Sequence, residues 1–262
     1  MSLQIDSDTC NKTADDISKS AYPNACWNTV ETEATLVLKL FNTISPCTYL
    51  RYGDGEMNLI ENHPAFAKKL IASAGACSVI GLPGNYTKTQ HSWRTVLLKQ
   101  FSRGGVTIGG PIVSAVLPLY KPSIISSAIK NKKAVWITNN SKIIKRNLTD
   151  HSFCSFFGFD ERSSDAFIQI PPGRTLPYTS DIFGVYDRIF KEISTLGNFD
   201  VAIIGAGAMG KILGHRIASQ LNKSVLDAGC ILSAMRGYKT DRLVLQNQLK
   251  GLVWDGPSTK SG

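Results

Sequence analysis

The chain has 262 residues, 43% of them hydrophobic and 19% charged, with 29 Lys+Arg against 20 Asp+Glu and a formal charge of +9. A chain this long and apolar buries a core without disulfide or metal staples, which excludes a wholly disordered protein. Its basic balance favours anionic ligands without choosing among them. Its six cysteines, at 10, 26, 47, 77, 154 and 230, form no C-x-x-C, which argues against structural zinc and thioredoxin-like chemistry.

Residues 1–28 are polar and irregular and read as an N-terminal arm. From Thr29 to Ile44 apolar residues recur at helical spacing (Val30, Ala34, Val37, Leu38, Phe41), with Glu31 and Glu33 in the first turn. Pro46 stops that helix. Cys47–Tyr52 predicts a strand that turns at Gly53-Asp54-Gly55-Glu56 into a helix ending near Asn62. Pro64 opens a further helix to about Ala74. Cys77–Leu82 predicts a strand, His91–Phe101 a helix and Val106–Ile108 a short strand, while Pro111–Lys121 fits neither period. A helix over Ser123–Lys130 precedes the strand Ala134–Thr138. Ser141 reads as the cap of a short basic helix, and residues 150–165 give no clear element. The last elements are a strand at Phe167–Ile170, a helix at Asp181–Leu196 with Asp181 as its cap, a strand at Val201–Ile204, a helix at Gly207–Leu221 and a strand at Ser224–Leu226.

Strands alternate with helices nearly throughout, which predicts an α/β fold: a single Rossmann-like domain, mostly parallel sheet, with helices on both faces. Residues 29–240 form this domain and 241–262 a tail. Dispersed cysteines point to a reducing compartment. There is no basic-then-apolar start of a signal peptide, and no run of the ~18 or more apolar residues that a membrane span needs. The expected location is therefore cytoplasmic, at the membrane surface if the basic face meets anionic lipid.

Ligands in such folds bind at the carboxyl ends of strands, and two strand ends carry motifs. The first is Arg51-Tyr52-Gly53-Asp54-Gly55-Glu56. Two carboxylates two residues apart on a glycine turn suit Mg²⁺ or Mn²⁺, which also takes phosphate oxygens from a substrate. Arg51 is placed to make charge-assisted bonds to phosphate or to hold a carboxylate in place. The same residues also suit a simple helix start, with Asp54 as cap and Glu56 in the first turn.

The second is Gly205-Ala206-Gly207-Ala208-Met209-Gly210, a G-x-G-x-x-G between strand and helix, with Asp227 closing the next strand. That spacing matches the dinucleotide fingerprint. It equally fits a turn that holds other phosphates on a helix N-terminus, or close strand–helix packing. Few strands follow it, whereas a dinucleotide domain has several. Lesser candidates at strand ends are Asn139 in Thr138-Asn139-Asn140-Ser141, and Arg174 and Tyr178 in the loop after Pro171-Pro172. Histidines 63, 91, 151 and 215 form no metal-type pair.

Arg51-Tyr52-Gly53-Asp54-Gly55-Glu56 resembles the opening motif of the GT-D-type glycosyltransferases, a family first catalogued as a domain of unknown function. Ile203-Ile204-Gly205-Ala206-Gly207-Ala208, continuing to Leu226-Asp227-Ala228-Gly229, is similar to that family's closing unit. The likeness spans about residues 45–240. It implies Asp54 and Glu56 as metal ligands in a D-x-E motif and Arg51 near the donor diphosphate. Relatives often carry His where this chain has Cys230.

The expectation is a metal-dependent glycosyltransferase using Mn²⁺ or Mg²⁺ and a nucleotide-sugar donor, UDP-linked, with a glycan, glycoprotein or lipid-linked acceptor and no nucleic-acid partner. Catalytic candidates are Asp54, Glu56 and Asp227, with Asp181 and Glu61 as further candidate bases. The nucleotide sugar would meet Arg51, Gly53, Gly55, Asn139, Arg174, Tyr178, Gly205 and Gly207. The alternatives are an NAD(P)-dependent oxidoreductase built on Gly205–Gly210 and a non-catalytic nucleotide-binding protein.

Overall fold

The computed structural model describes residues 30–82, 96–97, 99–100, 112–115, 117–121, 123–171, 180–229 and 231–235. Among them seven strands form one sheet: β1 (Thr48–Arg51), β2 (Val79–Leu82), β3 (Ile112–Ser114), β4 (Ala134–Thr138), β5 (Ala166–Gln169), β6 (Val201–Gly205) and β7 (Ser224–Asp227). Their order is β3-β2-β1-β7-β6-β4-β5, and every pairing is parallel. The central strands are continuous apolar runs, AVWIT in β4 and VAII in β6, because a parallel sheet is covered on both sides.

Alternate strand residues feed two cores. Leu50, Ile80, Val135, Ile137, Ala202, Ile204 and Val225 face one layer. Tyr49, Val79, Trp136, Ile203 and Leu226 face the other. The first layer takes α2 (Asp54–Asn62), α3 (Pro64–Ala74), α8 (Ser180–Thr195) and α9 (Gly207–Leu221). The second takes α1 (Val30–Thr43), α5 (Ser123–Ile129), α6 (Ser141–Asn147), α7 (His151–Phe157) and α10 (Ile231–Ala234), with α4 (Leu117–Tyr120) beside them. Connections that step one way along the sheet pass over one face and those stepping back pass over the other, as right-handed crossovers require.

Helix α9 lies close to the sheet. A Cβ on Gly214 would stand 2.9 Å from Leu50 Cδ2 and 3.1 Å from Val225 Cγ1, so only glycine lets this helix rest on β1 and β7.

Several sequence expectations change. Residues 150–165 contain α7, capped by Asp150, which accepts from the Phe153 N–H at 3.0 Å, and ended by left-handed Gly158. The ambiguous Pro111–Lys121 segment supplies β3 and α4. Ser141 is not a cap: Asn140 holds that position, and the Ser141 hydroxyl instead donates to Gln169 Oε1 at 2.6 Å. Asp181 is the second residue of α8, inside the helix. The strand expected at Val106–Ile108 lies outside the described residues, as does the N-terminal arm.

Candidate active site

The strand order places a topological switch between β1 and β7. The chain leaves β1 toward the layer of α2 and leaves β7 toward that of α10, opening a crevice at the carboxyl ends of these neighbours. Arg51 is the last residue of β1 and Asp227 the last of β7. The two strongest sequence motifs therefore meet at one place.

Among the described residues four charged side chains, two acids and two bases, occupy the crevice. The Lys211 ammonium lies 2.9 Å from Glu56 Oε1 and 3.0 Å from Asp227 Oδ2, and donates to the Gly207 carbonyl at 3.2 Å. Asp227 Oδ2 also accepts from the Arg51 N–H at 3.2 Å, and the Arg51 Nε stands 3.8 Å from Asp227 Oδ1. The guanidinium continues to the Ala115 carbonyl. Lys211 is 4% exposed and Asp227 2%. Burial alone would depress the Lys211 ammonium, but the Asp227 and Glu56 carboxylates outweigh it and hold it above its ordinary value.

The first turn of α2 is a helix start as well as a candidate site. Gly53, not Asp54, is its N-cap, and the Glu56 Oε2 accepts from the Gly53 N–H at 2.8 Å. This is the return half of a capping box. Asp54 is the first helical residue; its side chain lies outside the described set, as do those of Glu61 and Asp181. Gly55 is exposed at this turn.

The glycine turn after β6 divides its roles. Gly205 and Gly210 are packing residues: added Cβ atoms would meet Leu232 Cδ1 at 2.7 Å and Ile204 Cγ2 at 3.0 Å. Gly207 opens α9 at φ +55° with no atom near its missing Cβ, so the left-handed backbone alone calls for glycine there. Asp227 does not present a free carboxylate to a ribose, as a dinucleotide fingerprint requires, because Lys211 and the Arg51 N–H hold it.

Asn139 is half-buried at the end of β4, where its Oδ1 accepts from Asn140 Nδ2 at 2.8 Å and its carbonyl from Gln169 Nε2 at 2.8 Å. Thr138 pairs with Gly205 across the sheet, which sets this polar corner on the same carboxyl edge. Arg174, Tyr178 and Cys230 lie outside the described residues.

Sequence reasoning missed Lys211, and quoted Gly229 in the closing unit without giving it a role. The signal for Lys211 was its place directly after the Gly205–Gly210 turn. For Gly229 it was the glycine two residues past Asp227: a Cβ there would fall 1.4 Å from Arg51 Nη2, and its φ is +57°. Gly229 is thus the opening through which the Arg51 guanidinium passes.

A metal fits the residues here through oxygen chemistry. A carboxylate offers about four lone-pair sites; Glu56 gives one oxygen to an N–H and the other to Lys211, so two sites remain for a hard cation. Asp54 precedes it on the same turn. Among the described residues no three His, Cys, Asp or Glu side chains gather as a metal cage, so a cation would draw further oxygens from a phosphate ligand or water, as Mg²⁺ commonly does.

A groove of about 390 Å³ opens elsewhere, between α3, α8 and α9, lined by Lys69, Phe183, Tyr186, Met209, His215 and Arg216 among others. None of the four crevice side chains borders it. Burial pushes the His215 imidazole down. Among the described residues no helix is long and apolar enough to cross a membrane.

No curated protein matches the chain. Two solved structures resemble it at 16% identity, each over 76% of both chains, with TM-scores of 0.47 and 0.48. One is a selenomethionine-substituted structure of domain of unknown function 1792, and the other is described as showing that this domain has a distinct glycosyltransferase fold. A family model described as a GT-D fold-like domain matches residues 62–235, starting just past the Gly53–Glu56 turn and taking in Lys211, Asp227 and Gly229. With that match covering the larger part of the chain, this protein belongs to the GT-D-like family.

Proposed function

We propose that this chain is a glycosyltransferase that takes a nucleotide-sugar donor, UDP-linked, and passes the sugar to a glycan, glycoprotein or lipid-linked acceptor. The observation that carries the reading is the meeting of Arg51, Glu56, Lys211 and Asp227 at the β1/β7 crevice, beside the open glycine turn of α9. Membership of a GT-D-like family supports the transfer chemistry.

Breaking a sugar–diphosphate bond leaves negative charge on the departing diphosphate. Cationic and N–H groups fixed before the reaction stabilise that charge without reorganising. Arg51 is fixed by β1, by the Ala115 carbonyl and by the space at Gly229. The start of α9 at Gly207 offers backbone N–H groups beside open space. Asp54 and Glu56 would hold the Mn²⁺ or Mg²⁺, which when bound supplies further positive charge beside the diphosphate. Asp227 orients Arg51 and Lys211. Asn139 stands at the corner next to Gly205, where a base or sugar hydroxyl would meet amides.

A thermal-shift panel tests this reading: UDP-sugars with and without Mn²⁺, against NAD(H) and NADP(H). The expected result is stabilisation by a UDP-sugar that depends on Mn²⁺ and disappears in Asp54→Ala and Glu56→Ala. Stabilisation by a nicotinamide cofactor alone, lost in Gly207→Val, would replace it with the oxidoreductase alternative. A donor that stabilises without being transferred or hydrolysed would leave a binding protein.

A further inference from the structure

We infer that Lys211 is the positioning residue of this site, an internal cation that governs how strongly the crevice takes up a divalent ion. Its three donors are fully used, on Glu56 Oε1, Asp227 Oδ2 and the Gly207 carbonyl. Those partners belong to three separate pieces: the first turn of α2, the end of β7 and the turn that opens α9. At 4% exposure the ammonium is closed off from solvent, so its charge reaches a ligand through the groups it holds.

Lys211 stands where a cation shared by the two acids would stand. Its distances to Glu56 and Asp227 differ by 0.1 Å, 2.9 Å against 3.0 Å. A divalent ion on the outer lone pairs of Glu56 must share that carboxylate with the ammonium, and two cations on one screened carboxylate repel. Lys211 therefore holds metal affinity down in the absence of donor, so that donor phosphate oxygens are needed to complete the binding. Replacing it by the neutral and one-bond-shorter glutamine leaves Glu56 and Asp227 facing one gap with no cation between them. Such a pair of hard oxygen donors favours a divalent ion.

This inference rests on the cation half of the proposed function, and its test uses no donor, so failure in the donor panel leaves it standing and the reverse also holds. Mn²⁺ alone is titrated into the full chain and the free-ion EPR signal is followed. Lys211→Gln is expected to bind Mn²⁺ about 10- to 100-fold more tightly than the unaltered chain, the range by which groups around a metal's ligands tune its affinity. Lys211→Arg, which keeps the charge, is expected to titrate like the unaltered chain, and adding Asp227→Asn to Lys211→Gln to cancel most of the gain. Unchanged or weaker Mn²⁺ binding in a Lys211→Gln protein with native circular dichroism would overturn the inference. Should Lys211→Gln fail to fold, Asp227→Asn alone decides. It leaves the ammonium on Glu56 only and is expected to weaken Mn²⁺ binding; an unchanged titration would overturn the inference by that route.

Discussion

At the amino edge of the sheet Arg162 and Asp165 close on each other and on the backbone; at the carboxyl edge Lys211 divides itself between acids from different elements. Asp165 takes Arg162 Nε and Nη2 at 2.8 Å each, the Trp136 indole N–H at 2.8 Å and the Ala134 N–H at 3.2 Å. Arg162 spends its other donors on the Ile129 and Lys132 carbonyls. That pair spans three residues and ties down the starts of β4 and β5. The carboxyl-edge cluster is drawn from positions 51, 56, 211 and 227, and its central contacts run from side chain to side chain. A charge fixed by backbone partners is a fastening. A charge shared between side chains can be re-partnered by a ligand, and this difference separates a structural lock from a site.

The largest expected effect lies at the fastening. Asp165→Ala leaves Arg162 largely buried without its carboxylate and removes partners from Trp136 and Ala134. Breaking a buried pair from one side costs about 3–5 kcal/mol, and urea unfolding is expected to show a loss of that order with unchanged donor-induced thermal shifts. A loss of donor response out of proportion to stability would erase the distinction between the two edges.

Next comes Gly229→Ala. Its Cβ and the Arg51 guanidinium cannot share the space, and the left-handed backbone adds strain of about 1–3 kcal/mol. Here the expected outcome is the reverse of Asp165→Ala: modest destabilisation in urea and abolished stabilisation by the donor. Gly210→Ala is the control, because its Cβ would meet Ile204 Cγ2 at 3.0 Å and Ala206 Cβ at 3.3 Å rather than Arg51. Equal effects from both glycines would mean that Arg51 has no special part.

Glu56→Gln sharpens the comparison at smaller scale. The amide oxygen can still accept from the Gly53 N–H, so α2 keeps its start while the ion pair with Lys211 is lost. Losing one charged hydrogen bond of this kind costs about 1.5–3 kcal/mol at most, and urea midpoints should fall within that bound. Mn²⁺-dependent donor stabilisation should disappear. If it survives intact, Asp54 and the donor hold the cation without Glu56.

Much of this architecture was readable from local pattern. Gly207–Leu221 is a helix over the predicted residues, and AVWIT and VAII announce buried parallel strands because nothing polar interrupts them. Asp54-Gly55-Glu56 and Asp227 stood out because glycines and acids at strand ends break such patterns. Lys211 did not, since a lysine on a helix reads as a solvent-facing residue until a long-range pairing of β1 with β7 encloses it. The strand order is likewise absent from local pattern: that residue 51 meets residue 227 depends on the last strand inserting beside the first. Residues 150–165 hid α7 for another reason. A seven-residue helix has too few turns for periodicity to rise above the aromatic run His151–Phe157, and only Asp150 and Gly158 mark its ends.

The smallest expected effect is in alkaline pH, and it bears on the carboxyl edge through Lys211. A group whose folded pKa is raised contributes stability that is complete below its unfolded value and is lost as pH rises through the folded one. For Lys211 the unfolded value is 10.5 and the folded one lies above it. Cys47 and Cys77, pushed up by burial from 9.0 to about 12, lose their contributions over a window that starts lower. The unaltered chain and Lys211→Gln should therefore lose urea resistance in parallel between pH 9 and 10.5, where the thiols act in both. Above 10.5 the gap between them should narrow, because the unfolded chain sheds the Lys211 proton while the folded chain still binds it. Urea midpoints at pH 8, 10 and 11.5 decide it. A gap that already closes between pH 8 and 10 would mean that Glu56 and Asp227 do not hold the lysine as a charged pair of acids must.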